Sequence, residues 1–148
     1  QMLRQGRGHV INISSIYGNY PTAGAAVYGA TKAAVIFLSE SLRMESQGRI
    51  KVTTIRPTGV PLTGLGNGIV NPEAVSGLLG SNTAAYMSKF EAAEAGQLPK
   101  SMLDRNEIEY FALDPDSLSE QIVYTINQPW GVSISDITVR ASGDSYVL

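Results

Sequence analysis

The stretch HVINISSIYGNYPTAGAAVYGATKAAVIFLSESLRMESQGRIKVTTIR, residues 9–56, decides the fold of this chain. Its first six residues, 9–14, are a β-branched run that predicts a strand buried on both faces. Residues 25–47 contain no helix breaker except Gly29 and predict a long helix that ends at Gly48. Residues 50–56 predict a second strand, which Pro57 ends. A strand, a helix and a strand in this order form a βαβ unit, so we expect a parallel pair with a right-handed crossover.

The flanking segments extend this unit. Residues 1–5 resemble the last turn of a helix, which Gly6 stops. The long connection after the second strand predicts a lid or substrate loop over about 64–113, with a helix near 83–95. In the next segment, DPDS (114–117), Ser117 and the glutamate three residues later predict a capping box that opens another helix. Apolar and polar residues alternate over 134–140, which predicts a third strand. The length of 148 residues fits one domain, so we assign the whole chain to one α/β domain.

Composition excludes several classes of function. The chain has 43% hydrophobic and 16% charged residues, which favours a packed core over disorder. The net charge of −2 and the lack of a basic run argue against a nucleic-acid partner. No apolar stretch approaches the length of a membrane span, so we expect no membrane partner. There is no cysteine, which suits a reducing cytosol and a cytoplasmic location, and His9 is the only histidine, so no metal site is expected.

The side chains that could take part in a reaction lie at and near the start of the long helix. Tyr28 and Lys32 are four residues apart and therefore share one helical face. A nearby ammonium favours the phenolate form of a tyrosine, which suits a tyrosine that donates or accepts a proton. Ser15 lies thirteen residues before Tyr28, at the carboxyl end of the first strand, and Pro57 follows the second strand. Sites in open α/β sheets lie outside these strand ends.

Together these features resemble the short-chain dehydrogenase/reductase family. The resemblance rests on the strand motif NISS (12–15) with Gly18 after it, the Tyr28-x-x-x-Lys32 helix, and the Arg-Pro turn at 56–57. It covers essentially the whole chain. It implies a three-layer α/β fold, a Rossmann-type parallel sheet truncated in its N-terminal half, where the family carries its glycine-rich cofactor motif. It also implies NAD(P)-dependent interconversion of a ketone or aldehyde and an alcohol, as in carbonyl reductases and alcohol dehydrogenases.

The resemblance assigns roles to individual residues. Tyr28 would be the general acid/base and would also contact the cofactor. Lys32 would support it and bind the nicotinamide ribose, and Ser15 would polarise the substrate carbonyl. The cofactor would also be lined by a turn whose members are Pro57, Thr58, Gly59, Val60 and Thr63. The family turn is Pro-Gly-x-x-x-Thr, whereas here Thr58 stands where the family has glycine and Thr63 comes one residue late. The family's catalytic asparagine, and the segment that separates NAD from NADP, would both precede residue 1.

Two alternatives stay open. A non-catalytic relative would sense a dinucleotide or scaffold a partner, although intact Ser15, Tyr28 and Lys32 argue against it. An unrelated βαβ module of the receiver type would need acidic residues at the strand ends, where this chain has Ser15 and Pro57. The apolar circumference of the 25–47 helix predicts a homodimer or homotetramer that buries this helix. By themselves, the 148 residues are expected to be inactive.

Overall fold

Three parallel strands form a single sheet in the computed structural model, which describes residues 1–61 and 63–147. The strands are β1 (His9–Ile13), β2 (Lys51–Pro57) and β3 (Asp136–Val139), in the spatial order β1-β2-β3. In the register, Ile55 at the centre of the sheet is opposite Ile13 on one side and Ile137 on the other. The predicted parallel βαβ unit is confirmed, and the third strand is shorter than predicted.

The described residues also form six α-helices. These are α1 (Met2–Gln5), α2 (Ala26–Glu45), α3 (Glu73–Leu79), α4 (Thr83–Glu94), α5 (Lys100–Leu103) and α6 (Pro115–Ile126). Gly6 ends α1 in the left-handed region at φ 64°, as predicted for a glycine stop. The long helix predicted for residues 25–47 and the lid helix predicted near 83–95 are confirmed as α2 and α4. None of the helices in the described parts of the chain is long and apolar enough to cross a membrane.

Helices α2 and α6 cover opposite faces of the sheet. On one face, Asn12 of β1 donates a side-chain hydrogen bond of 2.9 Å to Ser39 of α2. On the other face, Leu118 and Ile122 of α6 pack against a buried cluster that includes Ile55. Because neighbouring residues of a strand point to opposite faces, this alternation places a helix on each side. The three-layer α/β class, with a truncated Rossmann-type sheet, is therefore confirmed.

Strand β1 is less buried than its sequence predicts. Every residue of β2 is buried except the partly buried Arg56, whereas β1 is only partly buried and Ile13 is 42% exposed. The reason is position: β2 has a hydrogen-bonded neighbour on each side, while β1 is at the edge of the described sheet. The prediction that residues 9–14 form a strand buried on both faces is thus wrong, and β2 is the buried strand of the sheet.

The start of α6 corrects a second prediction. The cap is Asp114, which has extended backbone and accepts a hydrogen bond of 2.6 Å from the Ser117 backbone N–H. Pro115 then occupies the first turn, where its missing N–H costs nothing. Glu120, which the capping box would direct to the backbone of Ser117, instead pairs with Arg105 at 2.8 Å. The predicted capping box is therefore wrong, although the helix itself is confirmed.

The long connection has an aromatic core of its own. Tyr86 and Phe90 of α4 pack with ring centres 5.1 Å apart, and Phe90 meets Phe111 at 5.7 Å. Tyr146, from the segment after β3, closes the cluster with its ring centre 5.8 Å from that of Tyr86. These contacts attach α4 to Phe111, near the end of the connection, and to the C-terminal segment.

Candidate active site

Lys32 is fixed against the carboxyl end of β1. Its ammonium donates a hydrogen bond of 3.2 Å to the carbonyl oxygen of Ile13, and Ser14 returns a hydroxyl bond of 2.8 Å to the carbonyl oxygen of Lys32. A side chain on Gly18 would collide with the Lys32 backbone, whose carbonyl oxygen would be 2.9 Å from the added carbon. These contacts hold the second turn of α2 against the loop that follows β1.

Tyr28 lies one turn earlier on the same face of α2. The Lys32 ammonium nitrogen is 5.7 Å from the centre of the Tyr28 ring, within range of a cation–π attraction. The four-residue spacing predicted that the two side chains share a face, and the structure brings them together. The positive charge of Lys32 therefore lies beside the tyrosine that the sequence singles out.

Ser15 reaches this pair through Tyr17. Ser15 is buried at 6% exposure, and its Oγ accepts a hydrogen bond of 3.3 Å from the Tyr17 backbone N–H. The Tyr17 ring meets the Tyr28 ring edge-on, with centres 5.4 Å apart and planes at 82°. Ser15, Tyr28 and Lys32 are thus joined in one chain of contacts, in which Tyr17 is the link that sequence reasoning did not assign.

The turn after β2 lies beside the end of β3. Thr58 continues the β2 ladder, since its N–H donates to the carbonyl oxygen of Val139 at 3.1 Å. Its side-chain hydroxyl is buried and has no hydrogen-bond partner among residues 1–61 and 63–147. Val60 belongs to the central core, and the Thr63 hydroxyl donates to the Val60 carbonyl oxygen at 2.8 Å. The hydroxyl of Thr63 is therefore already used inside the turn.

Gly59 faces a second tyrosine that sequence reasoning missed. A side-chain carbon at this position would collide with the Tyr146 hydroxyl, which also lies 3.4 Å from the Tyr86 hydroxyl. Burial is the main reason that the pKa values of both Tyr86 and Tyr146 are raised, so both hydroxyls stay protonated. No local pattern indicates this contact, because 87 residues separate positions 59 and 146.

The polar residues outside this cluster that could suggest a second site have structural roles. His9 forms a hydrogen bond of 2.8 Å with Thr53, and burial, followed by the charge of Lys51, lowers its pKa. Within residues 1–61 and 63–147, no group of acidic, histidine or cysteine side chains could hold a metal ion. A shallow depression of about 700 Å³ at the start of α6 is lined partly by Arg105 and Asp114, which already pair with Glu120 and cap α6. We therefore place the site at Tyr28 and not in this depression.

Comparison with known proteins identifies the family. Residues 1–74, half of the chain, match the family described as short chain dehydrogenase. The chain belongs to the short chain dehydrogenase family. Uncharacterized oxidoreductases of two staphylococci are similar to this chain over 94% of its length. The one from Staphylococcus aureus (strain N315) is 32% identical and the one from Staphylococcus epidermidis (strain ATCC 35984) is 28% identical.

Solved structures agree with this assignment. The serine dehydrogenase from Escherichia coli is 27% identical with a TM-score of 0.58, over 93% of this short chain dehydrogenase and 42% of that chain. The closed form of a serine dehydrogenase complexed with NADP+ is 29% identical with a TM-score of 0.61, over 93% and 46%. An alcohol dehydrogenase from Thermococcus sibiricus, at 17% identity and a TM-score of 0.62, shows the same fold. The chain spans 45% of the length of its staphylococcal relatives, a little under half.

Two groups of this chain fit the nicotinamide end of a dinucleotide. A lysine ammonium has three N–H donors, and the contact with Ile13 uses one of those on Lys32. The buried, unpartnered hydroxyl of Thr58 offers a further donor or acceptor in the turn after β2. An unsatisfied buried hydroxyl is costly, so a ligand that bonds to it is favoured. Both groups lie at the carboxyl ends of the strands, where ligands of open α/β sheets bind.

Proposed function

We propose that the complete protein is an NAD- or NADP-dependent oxidoreductase that interconverts a carbonyl compound and an alcohol. The observation that carries the proposal is the joined cluster of Ser15, Tyr28 and Lys32 at the end of β1 in a short chain dehydrogenase. A relative named serine dehydrogenase with NADP+ and an alcohol dehydrogenase with 5-hydroxy-NADP support the cofactor class. Which of the two cofactors is used, and which carbonyl compound, stay open.

Tyr28 and Lys32 would move the proton. The tyrosine hydroxyl would give its proton to a developing alkoxide and recover it in the reverse direction, with the Lys32 ammonium beside the ring. Because Ile13 holds the ammonium, this charge stays in place throughout the reaction. Fixed charges that need no reorganisation are an effective means of stabilising a transition state.

Ser15 would hold the substrate oxygen. Its Oγ accepts from the Tyr17 N–H, which leaves its own hydroxyl proton to donate to a carbonyl oxygen. This hydrogen bond from Tyr17 and the burial of the Ser15 side chain fix the position of Oγ. Substrate oxygen bound between Ser15 and Tyr28 would receive two hydrogen bonds as it gains negative charge.

The cofactor would lie against Lys32 and the turn after β2. Lys32 would donate to a ribose hydroxyl, and Pro57, Thr58, Gly59 and Val60 would line the nicotinamide, with the Thr58 hydroxyl as a polar contact. When bound, the nicotinamide supplies or accepts the hydride. Thr63 belongs to the same proposed surface, but its hydroxyl already binds the Val60 carbonyl, so we propose a role in shaping the turn.

We also propose that α2 pairs with α2 of a second copy to form a homodimer or a homotetramer. Its large apolar residues Val27, Phe37, Leu38 and Met44 are between 63% and 81% exposed. At 3.6 residues per turn they lie on one side of the helix. Exposed apolar surface of this extent is typical of an interface. The cytoplasmic location stays a prediction.

The test is turnover by the complete protein and by its Tyr28→Phe variant. A panel of ketones, aldehydes and alcohols would be screened with both cofactors by nicotinamide absorbance. Loss of the general acid should reduce turnover by about 10²–10⁴-fold while cofactor affinity is kept. Tyr124→Phe is the matched control, because it removes the same hydroxyl from an exposed position on α6.

The non-catalytic alternative has its own signature. A sensor or scaffold would bind the nicotinamide cofactor but turn over no member of the panel. Equal turnover by the wild type and Tyr28→Phe would also contradict the proposed mechanism, since the reaction would then use another acid.

A further inference from the structure

We propose that Tyr17 is a positioning residue that couples closure of the lid helix α3 to the orientation of Tyr28. The inference goes beyond the proposed function, and its catalytic consequence rests on that function. Tyr17 lies two residues after Ser15, in the short 3₁₀ helix Ile16–Gly18 between β1 and α2. Its backbone, ring and hydroxyl each contact a different part of the site.

The backbone and ring of Tyr17 hold the reacting groups. Its N–H donates a hydrogen bond to Ser15 Oγ. Its ring and the Tyr28 ring pack edge to face, with an angle of 82° between their planes. Its carbonyl oxygen lies against α2, where a side-chain carbon on Gly29 would be 3.1 Å from it. A rotation of the Tyr17 ring would therefore remove packing from Tyr28.

The Tyr17 hydroxyl holds the lid. It donates a hydrogen bond of 2.8 Å to the carbonyl oxygen of Ala74, in the first turn of α3 and 57 residues away. Burial is the main cause that raises the pKa of Tyr17 to about 12, so the hydroxyl stays protonated and remains a donor at neutral pH. The bond is thus available at neutral pH.

Helix α3 docks on the same loop through main-chain contacts. Gly24 has φ 77°, and an added side-chain carbon there would lie 2.7 Å from the Ala74 nitrogen. Gly77 faces the carbonyl oxygen of Ala23 so closely that a side chain cannot be accommodated. Asn71 donates a further bond of 3.1 Å to the Gly24 carbonyl oxygen. The docked position of α3 is therefore well defined, and the bond from Tyr17 is the contact that connects it to Tyr28.

The first test is hydrogen exchange of the complete protein, resolved along the chain. In Tyr17→Phe the ring contact with Tyr28 remains and the bond to Ala74 is lost. We expect amides of α3 to exchange about tenfold faster, the factor that corresponds to about 1.4 kcal/mol, while amides of β2 keep their protection. Tyr124→Phe is the control and should leave α3 unchanged.

The second test uses Tyr17→Leu, which removes both the bond and the ring. Here we expect faster exchange of α3 and, in addition, shifted resonances of the Tyr28 ring in a spectrum of tyrosine-labelled protein. In kinetics, Tyr17→Phe should raise KM with little change in kcat, whereas Tyr17→Leu should also lower kcat. Variants of a residue that only fills space would not change KM and kcat separately in this way.

The outcomes separate the coupling from the oxidoreductase proposal. Unchanged exchange of α3 in Tyr17→Phe would overturn the coupling, and so would equally faster exchange in all elements, which would assign Tyr17 to the general core. Exchange needs no turnover. A protein that shows the expected exchange and ring shifts, but no activity on any substrate, would support the coupling and refute the oxidoreductase assignment.

Discussion

Replacing Asp114 with alanine should destabilise the protein by about 2 kcal/mol near neutral pH. The Asp114 carboxylate accepts three hydrogen bonds: 2.6 Å from the Ser117 N–H, 2.8 Å from the Ser117 hydroxyl and 2.6 Å from the Tyr110 hydroxyl. Loss of an N-cap costs about 1 kcal/mol. Tyr110 is only 8% exposed, and the loss of its acceptor costs about 1 kcal/mol more.

The same contacts give this prediction a pH dependence. The hydrogen bond from Tyr110, followed by that from the Ser117 backbone, lowers the pKa of Asp114 from 3.8 to about 2. Because the folded pKa lies below the unfolded one, the contribution is fully present above pH 3.8 and is lost as the pH falls through about 2. At about 1.4 kcal/mol per pKa unit the limit is about 2.5 kcal/mol, and solvent screening of this partly exposed group reduces it to about 1 kcal/mol.

The assay is urea unfolding of the complete protein and of the variants, at neutral pH and at pH values down to about 2. The difference between the wild type and Asp114→Ala should be largest at neutral pH and should shrink in acid as the carboxylate is protonated. Asp116→Ala is the matched control: its side chain is exposed in the same turn, so only a helix-dipole effect of about 0.5 kcal/mol is expected. Equal losses in the two variants, or a difference that does not change with pH, would refute the capping argument.

Three further predictions concern the lid, the interface and the cofactor. Gly77→Ala should destabilise the docked α3 by about 1–3 kcal/mol, because the clash with Ala23 exceeds the gain of about 1 kcal/mol in helix propensity. Faster hydrogen exchange of α3 amides would support this prediction, and slower exchange would contradict it. Phe37→Glu should convert the complete protein from an oligomer to a monomer in light scattering, and a wild type that is already monomeric would remove the basis for this prediction. Residues 1–148 alone should bind NADH and NADPH only weakly, because the residues proposed here contact the nicotinamide end; micromolar binding in a fluorescence titration, with cooperative melting, would contradict this.

The elements that the sequence predicted well are those set by local patterns. The helix from Ala26 and the glycine stop at Gly6 follow from runs of helix formers and from left-handed φ, which depend on near neighbours. The cap of α6 shows how two local patterns can compete: Ser117 with Glu120 fits a capping box, whereas Asp114 before Pro115 fits a cap with proline in the first turn. The proline favours Asp114, and that signal was present in the sequence.

Burial and long-range contacts were harder to predict. The composition of residues 9–14 indicates a strand buried on both faces, but exposure of Ile13 depends on whether a neighbouring strand is present. In the site, the contact between Tyr28 and Lys32 followed from helical spacing. The contacts of Tyr17 with Ala74 and of Tyr146 with Gly59 join residues far apart in sequence, so no periodicity indicates them.

The glycines at the contact between α3 and the loop before α2 bear on which parts of this protein can vary without detaching α3. Because Gly24 packs on the backbone of α3 and Gly77 of α3 packs on the Ala23 carbonyl oxygen, almost any mutation at these two glycines should be harmful, and they should tolerate little drift. Many side chains of α4 are exposed, so they are free to vary without detaching α3. A mutational library confined to the exposed positions of α4 should therefore keep α3 docked, whereas a library that includes the two glycines should mostly yield proteins in which α3 is detached.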